Sequence, residues 1–99
     1  MKMLTKGILA KLPAIGATSA LPNDKIKVPL KIFNPSGAGT WYVTEYNPAT
    51  GEAFGLVDLH EKELGYFSLP ELLAYRGRFG LPMERDLHWD GNTTLSQVK

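Results

Sequence analysis

Hydrophobic and polar positions alternate most clearly between Lys25 and Phe33, where Ile26, Val28, Leu30 and Ile32 interleave with Lys25, Lys27, Pro29 and Lys31. A period of two predicts a strand with one dry face and one wet, basic face. Pro29 has no N–H for a ladder, which places this strand at a sheet edge or beside a bulge. Asn34 to Gly39 then reads as a turn, and Thr40 to Tyr46, rich in aromatic and β-branched residues, as a second strand. Asn47-Pro48-Ala49-Thr50-Gly51 is hairpin chemistry, leading into a third strand from Glu52 to Leu59. A charged turn at His60-Glu61-Lys62 precedes a fourth strand, Glu63 to Phe67.

Pairing Tyr46 with Glu52 assigns the faces of that hairpin. One carries Trp41, Val43, Glu45, Ala53, Gly55, Val57 and Leu59; the other carries Tyr42, Thr44, Tyr46, Phe54, Leu56 and Asp58. Both are partly apolar, so both need cover. Helical signals flank the strands. Lys6 to Leu12 reads as a short helix capped by Thr5, stapled through Leu4 and Leu9, and stopped by Pro13. Ala14 to Asp24 reads as loop. Ser68-Leu69-Pro70-Glu71 has capping-box form, with Phe67 and Leu72 placed for a staple. The helix it opens runs from Leu69 to about Arg76, with Gly77 as a left-handed stop. Met83 to Trp89 reads as a final strand or an extended segment laid across the sheet, and 90–99 as a loosely ordered end with at most one helical turn. The expectation is one α+β domain over 1–99, an antiparallel meander of four to five strands with a short N-terminal helix and a second helix after the fourth strand.

Composition narrows function more than fold. The 99 residues include no cysteine, which removes disulfides and thiolate metal sites. The apolar run from Gly7 to Ala10 is too short for a signal-peptide core, although Ala17-Thr18-Ser19-Ala20 has a cleavage-site composition. No run approaches the ~20 apolar residues of a membrane span. A soluble, cytoplasmic protein is expected. The formal net charge of +1 shows neither the excess of a strongly basic nucleic-acid domain nor that of a DNA mimic.

Candidate chemistry is sparse. Glu84, Asp86 and His88 alternate, as do Asp58 and His60, and together they offer carboxylate and imidazole ligands for a divalent cation; solvated strand edges are the plainer reading. Glu45, beside Val43 and Trp41, is the acid best placed for a raised pKa and could pair with Glu63 or Glu84 in acid–base work. The structural alternative is a buried ion pair to Arg85 or Arg76. Were the chain an enzyme, Glu45, Glu84, Asp86 and His88 would carry it. No serine sits in a nucleophile elbow, and the glycines at 37–39 lack a phosphate-loop ending. Lys25, Lys27 and Lys31 on one side, and Arg76, Arg78 and Arg85 near the second helix, with Tyr42 and Tyr46 to stack on bases, form the weaker case for nucleic acid. Tyr42, Tyr46, Phe54 and Tyr66 form the case for a protein-binding surface or a dimer interface, and equally for core beneath a helix; Arg76 and Arg85 are further binding candidates. Trp41, Glu63, Ser68 and Glu71 read as structural. No cofactor is implied.

Trp41-Tyr42-Val43-Thr44-Glu45-Tyr46, Gly55-Leu56-Val57, Glu63-Leu64-Gly65-Tyr66-Phe67-Ser68 with Glu71-Leu72, and Gly80-Leu81-Pro82-Met83-Glu84-Arg85-Asp86 together resemble the domain of unknown function 2958 family. These are small bacterial proteins often carried on plasmids, phages and integrated elements. The resemblance implies a compact α+β domain and a mobile-element setting, and it implies no reaction. It directs attention to Glu45, Glu63, Tyr66, Glu84, Arg85 and Asp86.

Overall fold

In the computed structural model, which describes residues 3–99, the chain forms an open antiparallel sheet in the order β4-β3-β2-β1-β5. Its strands are β1 (Leu30–Phe33), β2 (Thr40–Tyr46), β3 (Glu52–Asp58), β4 (Lys62–Ser68) and β5 (Glu84–Arg85). Three short helices accompany them: α1 (Lys6–Lys11), α2 (Leu69–Ala74) and α3 (Leu95–Val98). The expected α+β class and meander are present, with β5 returning to pair with β1. No helix among the described residues is long and apolar enough to cross a membrane.

Two cores cover the two faces. Leu30, Ile32, Trp41, Val43 and Ala53 pack beneath Leu69 of α2 and Met83, with Ile8 of α1 against them. The second core joins Leu56 to Ile26 and to Leu95 of α3, flanked by Tyr42 and Val98.

The first strand departs from expectation. Regular pairing begins only after Pro29, and the run Ile26 to Ile32 is divided, Ile26 serving the second core and Leu30 and Ile32 the first. A prolyl nitrogen cannot join a ladder, so the chain starts its strand behind it. Neither an edge nor a bulge accommodates the proline, because β1 lies between β2 and β5. The preceding residues pair instead with the C-terminal segment: Val28 N–H donates to Thr93 O at 2.9 Å and Leu95 N–H to Ile26 O at 2.8 Å. That segment is therefore docked rather than frayed. Its single helical turn carries a reciprocal cap between Thr94 and Gln97, and Leu95 is 2% exposed.

Helix α1 begins as expected, with the Thr5 hydroxyl accepting from Ile8 N–H, but Ile8 rather than Leu9 faces the core. Helix α2 ends at Ala74, shorter than expected, and Gly77 is not left-handed (φ −87°). At its start the Ser68 hydroxyl accepts from Glu71 N–H at 3.3 Å, and Phe67 and Leu72 both reach the first core.

The hairpin register holds from Thr40↔Asp58 to Val43↔Gly55 and then slips by one residue, giving Glu45↔Phe54 and Tyr46↔Ala53. This bulge at Thr44 reverses the faces of everything beyond it. Tyr46 enters the first core, and Glu45 joins Thr44 on the second face. Gly55 is what permits the kink: a Cβ there would sit 2.0 Å from the Tyr42 carbonyl oxygen.

Candidate interaction surfaces

The bulge decides the fate of the acid singled out by sequence. Glu45 is 3% exposed and lies under the 14–20 loop, which it holds down. Its Oε1 accepts from Gly16 N–H at 2.8 Å, and its Oε2 accepts from Thr18 N–H at 2.9 Å and from the Thr18 hydroxyl. Burial pushes the carboxyl pKa up, but the bonds from the Thr18 hydroxyl and the Gly16 and Thr18 amides outweigh it and hold the group below its ordinary 4.5. Neither expected role is realised. The carboxyl is not a raised-pKa acid, and it stays charged through the Thr18 hydroxyl and the Gly16 and Thr18 amides rather than an ion pair to Arg85 or Arg76.

The other proposed ligands and acids stand apart from Glu45. Asp86 pairs with Lys31 at 3.3 Å and accepts from His88 N–H at 3.0 Å, so the chain turns at 86–88 rather than continuing as a strand. That backbone bond and the lysine hold the Asp86 carboxyl below its usual value despite some desolvation. Glu84 and Arg85 form the short β5, beside Phe33 and Ile32. Among the described residues no three His, Asp or Glu side chains converge as a metal cluster. Asp58 closes β3 opposite Lys62, and Glu63 stands opposite Val57 on β4.

The basic and aromatic groups are also dispersed. Lys25 and Lys27 are exposed, but the Lys31 ammonium lies 5.3 Å from the Trp89 ring centroid and 5.8 Å from that of Tyr42. Tyr42 is half-buried against Trp89, and the Trp89 indole N–H donates to Val28 O at 2.7 Å. Tyr42 and Tyr46, expected on one exposed face, are on opposite faces. Tyr66 remains open, 63% exposed, its ring 4.8 Å from that of Phe54. Arg76 spends its guanidinium on the end of α2, donating to Leu73 O and Tyr75 O, both at 3.0 Å.

That last contact starts the most conspicuous surface feature. Residues 76–82 form a finger closed by a bridge between Arg76 and Pro82 and by Gly77 N–H donating to Leu81 O at 2.8 Å. The finger is braced from the side. Arg78 N–H donates to the Ser36 hydroxyl at 3.2 Å, and Ser36 in turn donates to Asn34 Oδ1 at 3.0 Å. Gly77 allows this approach, since a Cβ there would lie 2.2 Å from Ser36 Oγ. At the tip Phe79 is 92% exposed with φ 60° and ψ 21°. A bulky side chain in left-handed backbone is an outlier, costing about 1 kcal/mol or more. Tyr75, before the finger, and Met83, after it, both line an apolar groove of about 410 Å³ with Trp41, Leu59, Phe67 and Leu72.

The expectation of a helix stopped at Gly77 does not extend to the display of Phe79. The available signal was an aromatic residue between Arg78 and Gly80, where turn chemistry calls for small polar residues.

Comparison with known proteins adds a family and no activity. A family model described as a protein of unknown function, DUF2958, matches residues 3–98. No curated protein matches, and no solved structure does.

Proposed function

The chain belongs to the DUF2958 family, whose function is unknown, and we propose that it is a noncatalytic accessory or regulatory protein that binds another protein through the Phe79 finger and the groove beside it. The observation that carries this reading is Phe79 itself, an almost fully exposed aromatic on a braced loop in strained backbone. That side chain buries almost none of its surface in the fold, whereas aromatic anchors with a nearby arginine dominate protein interfaces. Arg78 beside it favours a partner whose receiving cleft is apolar with carboxylates at the rim. The dispersal of Glu45, Glu84, Asp86 and His88 supports a binding role over hydrolysis. A setting on a plasmid or phage is what the family resemblance implies, and antagonism of a host defence system is one role such a small binding protein would have there.

The test uses a photo-crosslinking phenylalanine analogue at position 79 in the host, followed by reconstitution with the purified captured protein. Phe79→Gly should then weaken binding at least tenfold while raising thermal stability, because relief of the positive φ, about 1–2 kcal/mol, exceeds glycine's entropic cost of about 0.5–1 kcal/mol. Unchanged affinity in Phe79→Gly refutes the reading. So does a lower melting temperature, which would give the ring an internal structural role.

A further inference from the structure

Strand β4 is the outer strand at one side of the sheet. Leu69 N–H donates to Gly51 O at 2.9 Å and Leu59 N–H to Glu61 O at 3.4 Å, which with the register sets the phase of the ladder. The backbone groups of Glu63, Gly65 and Phe67 turn inward to β3, and those of Lys62, Leu64, Tyr66 and Ser68 turn outward.

Such an edge is normally blunted by a proline, a bulge, a central charge or shortness. β4 has seven residues, pairs with β3 without a slip, contains no proline, and places its charges, Lys62 and Glu63, at one end. Its middle instead shows Leu64, 40% exposed, and Tyr66 on the second face, around a glycine whose Cβ position is open space.

We propose that β4 pairs antiparallel with β4 of a second copy of this chain about a two-fold axis at Gly65, joining two sheets into one. The strand is self-complementary in that register. Leu64 and Tyr66 of one copy stand opposite Tyr66 and Leu64 of the other, and Lys62 stands opposite Ser68. These are the residues whose amides and carbonyls point outward, so each pair exchanges both of its backbone hydrogen bonds. The apolar Leu–Tyr pairs then cover one another on the second face, next to Phe54. The two Gly65 residues meet at the axis, where no side chains collide. The contact is at the small end of specific interfaces, below about 1,200 Å², so the dimer is concentration-dependent.

The absence of native cysteine makes the test clean. In Gly65→Cys the paired Cα atoms would be about 4.5 Å apart, within disulfide range. In Glu63→Cys the same residues of two copies would be offset by about 13 Å along the strand and could not bridge. Under mild oxidation Gly65→Cys should dimerise at least tenfold faster than Glu63→Cys. Sedimentation of the unmodified chain should show its mass rising from 10.9 kDa toward twice that with concentration. The Leu64→Lys/Tyr66→Lys variant should stay monomeric with an unchanged circular dichroism spectrum. Equal crosslinking at 63 and 65, a monomer at every concentration, or an edge that accepts only a foreign peptide strand would each overturn the proposal. Phe79→Gly leaves this assembly intact, which separates it from partner binding.

Discussion

Replacing Glu45 by glutamine removes a charge and one acceptor from the point where the 14–20 loop is fastened to the sheet. The carboxylate takes three donors: the Gly16 amide, the Thr18 amide and the Thr18 hydroxyl. Glutamine keeps one acceptor oxygen, which can serve the two Thr18 donors, and presents an NH₂ group to the Gly16 N–H. A hydrogen bond to a charged group contributes about 1.5–3 kcal/mol, and a donor left facing a donor adds a desolvation cost. The expected loss is therefore about 2–4 kcal/mol out of a total of roughly 5–15 kcal/mol for a domain of this size. That corresponds to a fall of roughly 10–30 °C in melting temperature. Thr18→Val, which removes only the hydroxyl, should cost about 1–2 kcal/mol. The pH dependence follows from the direction of the shift. The folded carboxyl titrates below the unfolded one, so its contribution is complete above about 4.5 and is lost as pH falls through the lower folded value. Urea unfolding of the parent and Glu45→Gln at pH 7 and at pH 3.5 measures both effects, the gap between them narrowing in acid. A glutamine variant within about 0.5 kcal/mol of the parent at pH 7, or an equal gap at both pH values, would refute the reasoning.

Two further outcomes test the architecture. Gly55→Ala should cost well over about 3 kcal/mol or prevent folding, because its Cβ meets the Tyr42 carbonyl oxygen and the Val43 backbone rather than a side chain that could turn aside; a soluble, cooperative variant by thermal melt would show that the hairpin adapts. Leu95→Ala should cost about 2–4 kcal/mol by urea unfolding, since its side chain fills the second core; a loss below about 1 kcal/mol would make the C-terminal segment dispensable.

The legible parts of this fold are those written in local chemistry. Strand β2 occupies the expected Thr40–Tyr46 because its pattern is bounded by a glycine turn and by Asn47-Pro48. The Ser68 hydroxyl caps Glu71 N–H where the motif placed it, which is the serine's half of the expected box. The bulge was not legible, because slipping one residue exchanges Glu45 with Tyr46 without altering composition, and the glycine that admits it lies on another strand. Nor was the Glu45 site, since its donors are backbone amides in a loop with no periodicity. The docked C-terminus does carry a local signal. Thr94-Leu95-Ser96-Gln97 has the form of a capping box, with a leucine ready to bury. Trp89 and Thr93, which tie that segment to Val28, are long-range partners that no local pattern announces.

The irregularities sort the candidate sites by what they accomplish inside the fold. The bulge at Thr44 costs a ladder position, and the fold recovers it at once by turning Glu45 toward the Thr18 amide, which would otherwise be buried without a partner. That departure is explained internally, and its residues should tolerate change badly for reasons of stability alone. Phe79 is the opposite case. Its left-handed backbone is held by bonds from Gly77, Arg78 and Ser36, yet the ring those bonds display touches solvent almost everywhere. The outer side of β4 likewise shows apolar residues and backbone groups that the sheet does not use. Strain and exposure with no evident internal return are the mark on which the proposed binding role rests. The functional search therefore belongs at residues whose replacement leaves the domain standing, and the sign of the stability change at Phe79 decides whether that inference holds.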